Sequence, residues 1–142
     1  MPSKLHQMLV GLIGRKMREK GYHIVAFDGN KYVFDGQKLN VPPQIKRHRP
    51  DIVGFRFETK EVCVGEAKTR EDLFSKRTQE QLLDYTATKG LSTGKHIDII
   101  IGIPKSAKED LIELLKRLNL LEKDFISYIW LPEELVDNGR KD

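Results

Sequence analysis

The chain has 142 residues, of which 39% are hydrophobic and 32% charged, with glycine and proline at ordinary levels. That is the size and balance of one globular domain, and it excludes a collagen-like, low-complexity or disordered chain. The single cysteine, Cys63, excludes an internal disulfide and suits a reducing compartment, while a net charge of +4 favours a polyanionic partner without naming one.

The first apolar run, residues 8–13, is too short for a signal core and leads directly into Arg15, Lys16 and Arg18. No stretch approaches the ~20 apolar residues that cross a bilayer. A soluble, cytoplasmic protein is expected, with no membrane partner. Ser3 is placed to cap a helix running to about Lys20, because Leu5, Met8, Leu9, Leu12, Ile13 and Met17 recur at helical spacing and Gly21 supplies a stop. Residues 22–27 and 31–34 flank Asp28-Gly29-Asn30 and read as a hairpin. Residues 37–49 read as irregular, with Pro42-Pro43 breaking any regular element.

Two strands follow, 51–57 and 61–68, joined by a tight polar turn at 58–60. Their long apolar runs are those of central strands covered on both faces. A helix is expected from Glu71 to about Lys89, ending at Gly90, then a buried strand over 96–103. An amphipathic helix over 106–121 shows Leu111, Leu114, Leu115, Leu118 and Leu121 on one face, and a last strand spans 125–131. These elements describe an α/β domain over residues 1–135, with one mixed sheet flanked by helices. Residues 136–142 read as a frayed tail.

Chemistry concentrates at Pro50-Asp51 and, fifteen residues on, at Glu66-Ala67-Lys68. Strand alternation sends Val62, Val64, Glu66 and Lys68 to one face, and Cys63, Gly65 and Ala67 to the other. The small residues suit a helix packed closely on their side. Glu66 and Lys68 then project together from an otherwise apolar strand, and a short hairpin sets the Asp51 carboxylate beside Glu66. Burying such groups is costly unless something compensates them. A hard divalent cation resolves the repulsion of paired carboxylates and favours oxygen ligands, water and phosphate, and Lys68 could orient a water or stabilise a phosphate. A structural Asp–Lys–Glu cluster is the alternative. Lys46, Arg47, His48 and Arg49 gather positive charge just before Asp51, either as phosphate contacts or as a solvated loop.

Arg49-Pro50-Asp51-Ile52-Val53-Gly54 and Val62-Cys63-Val64-Gly65-Glu66-Ala67-Lys68 resemble the PD-(D/E)XK nuclease superfamily, whose shared restriction-endonuclease-like core is α-β-β-β-α-β. The resemblance covers roughly residues 1–103 and leaves the last helix and strand as an αβ extension. It implies metal ligation by Asp51 and Glu66, helped by the Ala67 carbonyl, with Lys68 acting on the nucleophilic water and Mg²⁺ (or Mn²⁺) as cofactor. Gln81 and Tyr85 form Q-x-x-x-Y, and with Arg77 they share one helical face at i, i+4 steps. RecB-type members carry a similar pattern, which implies that Gln81 and Tyr85 approach the metal site or the DNA backbone; Gln81 joins the catalytic candidates, and Arg77 and Tyr85 join Arg47, His48 and Arg49 as candidate DNA contacts. Many members place an acid or a histidine on the first helix. Here the early turns carry no acid and His6 is the accessory candidate, so one principal metal ion is expected.

The segment Gly90-Leu91-Ser92-Thr93-Gly94-Lys95 resembles a phosphate loop but is one residue short, lacks Ser or Thr after the lysine and follows a helix. The four histidines and Cys63 show no zinc spacing, and no serine or cysteine nucleophile motif is present. At this length no separate recognition domain is expected, which favours reading DNA structure through its backbone. The expected activity is therefore that of a Mg²⁺-dependent DNA endonuclease of repair or recombination. It would be similar to archaeal Holliday-junction resolvases, and would work as a homodimer or within a larger DNA-processing complex. The RecB-like helix supports an exonuclease or end-processing enzyme instead. A catalytically silent DNA-binding or assembly module on the same fold is the competing class.

Overall fold

The computed structural model describes residues 3–29, 33–34 and 36–135. Helix α1 (Lys4–Glu19) begins at Ser3, whose hydroxyl accepts from the His6 N–H at 3.0 Å, and Lys16 and Arg18 sit favourably in its last turn. Gly21, at φ +88°, takes the left-handed conformation that turns the chain out of the helix. Then come strands β1 (His23–Phe27), β2 (Val33–Phe34), β3 (Gln37–Lys38), β4 (Ile52–Phe55) and β5 (Val62–Ala67). They are followed by helix α2 (Lys76–Thr86), strand β6 (Asp98–Pro104), a single 3₁₀ turn at Lys105–Ala107, helix α3 (Lys108–Arg117) and strand β7 (Ile126–Leu131). No helix among the described residues is long and apolar enough to cross a membrane.

The five main strands form one mixed sheet in the order β1-β4-β5-β6-β7, the first three antiparallel and β5, β6 and β7 parallel. The α/β class and the expected element order are therefore present, with a small β2–β3 hairpin inserted. Helix α1 covers one face through Leu9, Ile13 and Met17, packed on Ile52, Cys63 and Ile100. Helices α2 and α3 cover the other through Leu82, Tyr85, Leu111 and Leu114, packed on Val53, Val64, Ile99 and Ile101. The expected small-residue contact is real. A Cβ at Gly65 would lie 2.4 Å from Ile13 Cγ2, and one at Gly102 would lie 2.9 Å from Ile13 Cδ1, so α1 rests directly on the strand backbones.

Three local expectations need correction. β1 pairs with β4 and not with β2, which pairs with β3. Residues 30–32 of the expected hairpin lie outside the described residues, as does the tail 136–142. Pairing with β4 buries Ile24 and Ala26 in the sheet, and that burial outweighs a local Asp-Gly turn preference. The helix expected from Glu71 starts at Lys76, because Asp72 accepts from the Thr69 hydroxyl in a turn and Ser75 caps the helix on Thr78 N–H. The helix over 106–121 is confined to Lys108–Arg117, ending before Asn119, which adopts φ 58°.

Candidate active site

The site forms where β4 begins and β5 ends. The Asp51 N–H donates to the Gly65 carbonyl at 3.1 Å, and Ile52 pairs with Gly65, so the Asp51 side chain arrives opposite Glu66 and Ala67. Its Oδ2 accepts from the Ala67 N–H at 2.8 Å. The neighbouring Lys68 N–H bonds Gly102 on the opposite edge of the strand, so the Ala67 carbonyl shares the Asp51 edge with its own N–H.

Glu66 is only 4% exposed, and its Oε1 accepts from the Tyr85 hydroxyl at 2.8 Å. The Lys68 ammonium stands 3.9 Å from Glu66 Oε2 and donates to Gln81 Oε1. Burial, then the Asp51 charge, pushes the Glu66 carboxyl well above the ordinary range, and the opposing pull of Lys68 and Tyr85 does not reverse it. His6, from the first turn of α1, lies 3.4 Å from Asp51 Oδ2, and that hydrogen bond outweighs desolvation to raise the histidine above its usual value.

These groups line a cleft of about 240 Å³ that brings together Asp51, Glu66, Ala67, Lys68, Gln81 and His6, with Arg49 and Arg77 beside them. Two further carboxylates, Asp28 and Asp72, line it as well. Sequence reasoning missed them because each sits in a local turn pattern. Asp28 is nonetheless tied to the site, its N–H donating to the Asp51 carbonyl at 2.9 Å.

Three residues expected to face DNA do not line this cleft. Tyr85 is fully buried with its hydroxyl on Glu66, so it holds the carboxylate. His48 is 5% exposed and bonds Asp84 Oδ2 at 2.8 Å, with its ring edge-on to Tyr85 at 5.9 Å. Arg47 is paired with Glu80 at 3.0 Å and with Asp84 at 3.3 Å. The outward acids of α2 thus claim two members of the basic block, and of its three predicted DNA contacts only Arg49 lines the cleft.

Asp51, Glu66 and the Ala67 carbonyl offer an all-oxygen donor set, which fits a hard divalent cation. Among the described residues no three His, Cys, Asp or Glu side chains are grouped to enclose an ion. A cation held here would keep open positions for water and phosphate oxygens, the usual habit of Mg²⁺.

No protein-family model matches the chain, and no curated protein matches it. Among solved structures, a repair endonuclease from Pyrococcus abyssi is similar at 15% identity with a TM-score of 0.48, over 93% of this chain and 48% of that one. The chain thus spans about half the length of that protein.

Proposed function

We propose that the chain is a metal-dependent deoxyribonuclease that hydrolyses DNA phosphodiester bonds with Mg²⁺, and with Mn²⁺ in its place. The observation that carries this reading is the pairing of buried Glu66 with half-buried Asp51, which is electrostatically unfavourable by itself and faces a cleft rimmed by Arg49, Lys68 and Arg77. Asp51, Glu66 and the Ala67 carbonyl would hold the cation, which supplies Lewis-acid activation of water and charge neutralisation at the phosphate.

The chain's own residues do the rest. Lys68, oriented by Gln81, donates to the attacking water or to the phosphate oxygen that gains charge. Tyr85 fixes Glu66 from behind, and His6 fixes Asp51 from α1. Arg49 and Arg77 bind flanking phosphates through contacts that carry no base information. We read the enzyme as a structure-specific endonuclease, resolvase-like in acting as a homodimer.

The test is a cleavage panel in Mg²⁺ on four-way junction, flap, single-stranded, linear and supercoiled DNA. Asp51→Ala, Glu66→Ala and Lys68→Ala should each lose about a hundredfold or more of the rate. Cutting at the wild-type rate by any of them would overturn the assignment. Tight DNA binding with no cutting in any divalent metal would mark a silent binding module instead.

A further inference from the structure

A second cleft, of about 730 Å³, opens along the outer edge of β1 at the end remote from Asp51. Phe57 lies at its wall with 54% of its surface exposed. That ring is braced rather than loose, lying 5.1 Å from the His23 ring and 5.1 Å edge-on from Phe55. Gln37 and Asn40 add exposed amide-bearing residues to the lining, Arg18 reaches it with its guanidinium 5.3 Å from the Phe34 ring, and among the described residues no carboxylate lines the cleft. Among the described residues, the outer edge of β1 is bridged only at Ala26–Asn40.

A braced, exposed aromatic ring beside amides and a cation is the chemistry of an unpaired nucleobase and its phosphate. A duplex cannot use such a surface, because its bases are stacked away from it. The two clefts share one strand. β1 runs from His23 at this cleft to Phe27, and the next residue, Asp28, lines the candidate active site. At ~3.3 Å per residue, His23 and Asp28 stand about 17 Å apart, a distance a single polynucleotide strand can follow along the edge.

We propose that this groove is a single-strand subsite, in which an unpaired nucleotide flanking the scissile bond stacks on Phe57 and His23 while Gln37 and Asn40 bond its base edge. Its place in a reaction rests on the nuclease reading, but its binding does not. The substrate is then DNA with a junction between duplex and single strand, and base identity matters little because every base offers a π-face.

The experiment measures fluorescence anisotropy of the full chain with a blunt duplex and with the same duplex carrying a short single-stranded extension at either end, in Ca²⁺ to prevent cutting. Phe57→Ala should weaken binding of one extended DNA about tenfold and leave the blunt duplex unchanged, while Phe57→Tyr should retain binding. His23→Ala should act in the same direction. Equal loss on both DNAs, or no loss on either, overturns the subsite. If the extension is preferred and no DNA is ever cut in Mg²⁺ or Mn²⁺, the subsite stands and the nuclease reading fails. If all DNAs are cut and Phe57→Ala does not discriminate among them, the reverse holds.

Discussion

Glu66 occupies a position where an ionised carboxyl is disfavoured, under α2 and beside Asp51. An unfolded glutamate releases its proton near 4.5, whereas the folded chain holds the Glu66 proton to higher pH. As pH rises from about 4.5 toward the folded-state value, the unfolded chain sheds that proton first. Stability present in acid is therefore lost with rising pH. A divalent cation bound to the ionised pair works against that loss. Thermal stabilisation by Mg²⁺ should then grow from pH 5 to pH 8, read as melting temperature with and without the ion. Glu66→Gln keeps an acceptor for Tyr85 and removes the charge, so at neutral pH without metal it should melt higher than the wild type and lose the Mg²⁺ response. A Mg²⁺ response that persists in this variant would remove Glu66 from the ligand set. Tyr85→Phe takes away a hydrogen bond that favours ionised Glu66, costing about 1 kcal/mol of stability. The acid limb of the pH–rate profile should then move upward, whereas a Tyr85 that only filled space would leave the profile in place.

At the scale of elements, α2 works in two directions. Its inward face sends Gln81 and Tyr85 to Lys68 and Glu66, and its outward Glu80 and Asp84 grip Arg47 and His48. Desolvation pushes the Asp84 carboxyl up, but the hydrogen bonds from His48 and Arg47 outweigh it and hold the carboxyl below its ordinary value. The gripped residues lead directly into Arg49 and Asp51, so the clamp fixes how that segment enters the cleft. His48→Ala should cost about 1–2 kcal/mol in urea unfolding. It should also speed amide exchange across residues 45–51 and raise KM more than it lowers kcat, whereas unchanged exchange there would reduce His48 to a packing residue. The inward pair was legible in the sequence because i, i+4 spacing defines a helical face. The outward grip was not. A run of basic residues says nothing of which acids lie opposite, and Asp84 is 36 positions from His48. The Asp51–Glu66–Lys68 trio was legible for the opposite reason, since strand alternation and a short antiparallel connection leave little freedom. Asp28 and Asp72 enter the cleft only through tertiary placement of turns that look ordinary in sequence.

Across the whole molecule, the cleft lies where three bodies meet: α1 supplies His6, the sheet supplies Asp51, Glu66 and Lys68, and α2 supplies Gln81, with Tyr85 behind Glu66. Their spacing is set by how closely α1 sits on the sheet, and Gly65 and Gly102 set that height through Ile13. Gly65 is the more consequential of the two, because it precedes Glu66 and pairs with Ile52, the residue after Asp51. In Gly65→Ala the new methyl would meet Ile13 Cγ2 at 2.4 Å and Ile52 Cγ2 at 2.7 Å, below any real contact, so α1 or β4 must move. Overpacking of this kind costs about 1–3 kcal/mol. A shift of α1 carries His6 away from Asp51, and a shift of β4 carries Asp51 away from Ala67. Either movement should lower Mg²⁺ affinity and cleavage together while leaving DNA affinity in Ca²⁺ nearly unchanged. Gly11→Ala on the same helix meets nothing within 4 Å and serves as the control, with its added methyl expected to stabilise the exposed helix by up to about 1 kcal/mol and leave cutting intact. Equal behaviour of the two variants would mean that the height of α1 does not govern the site.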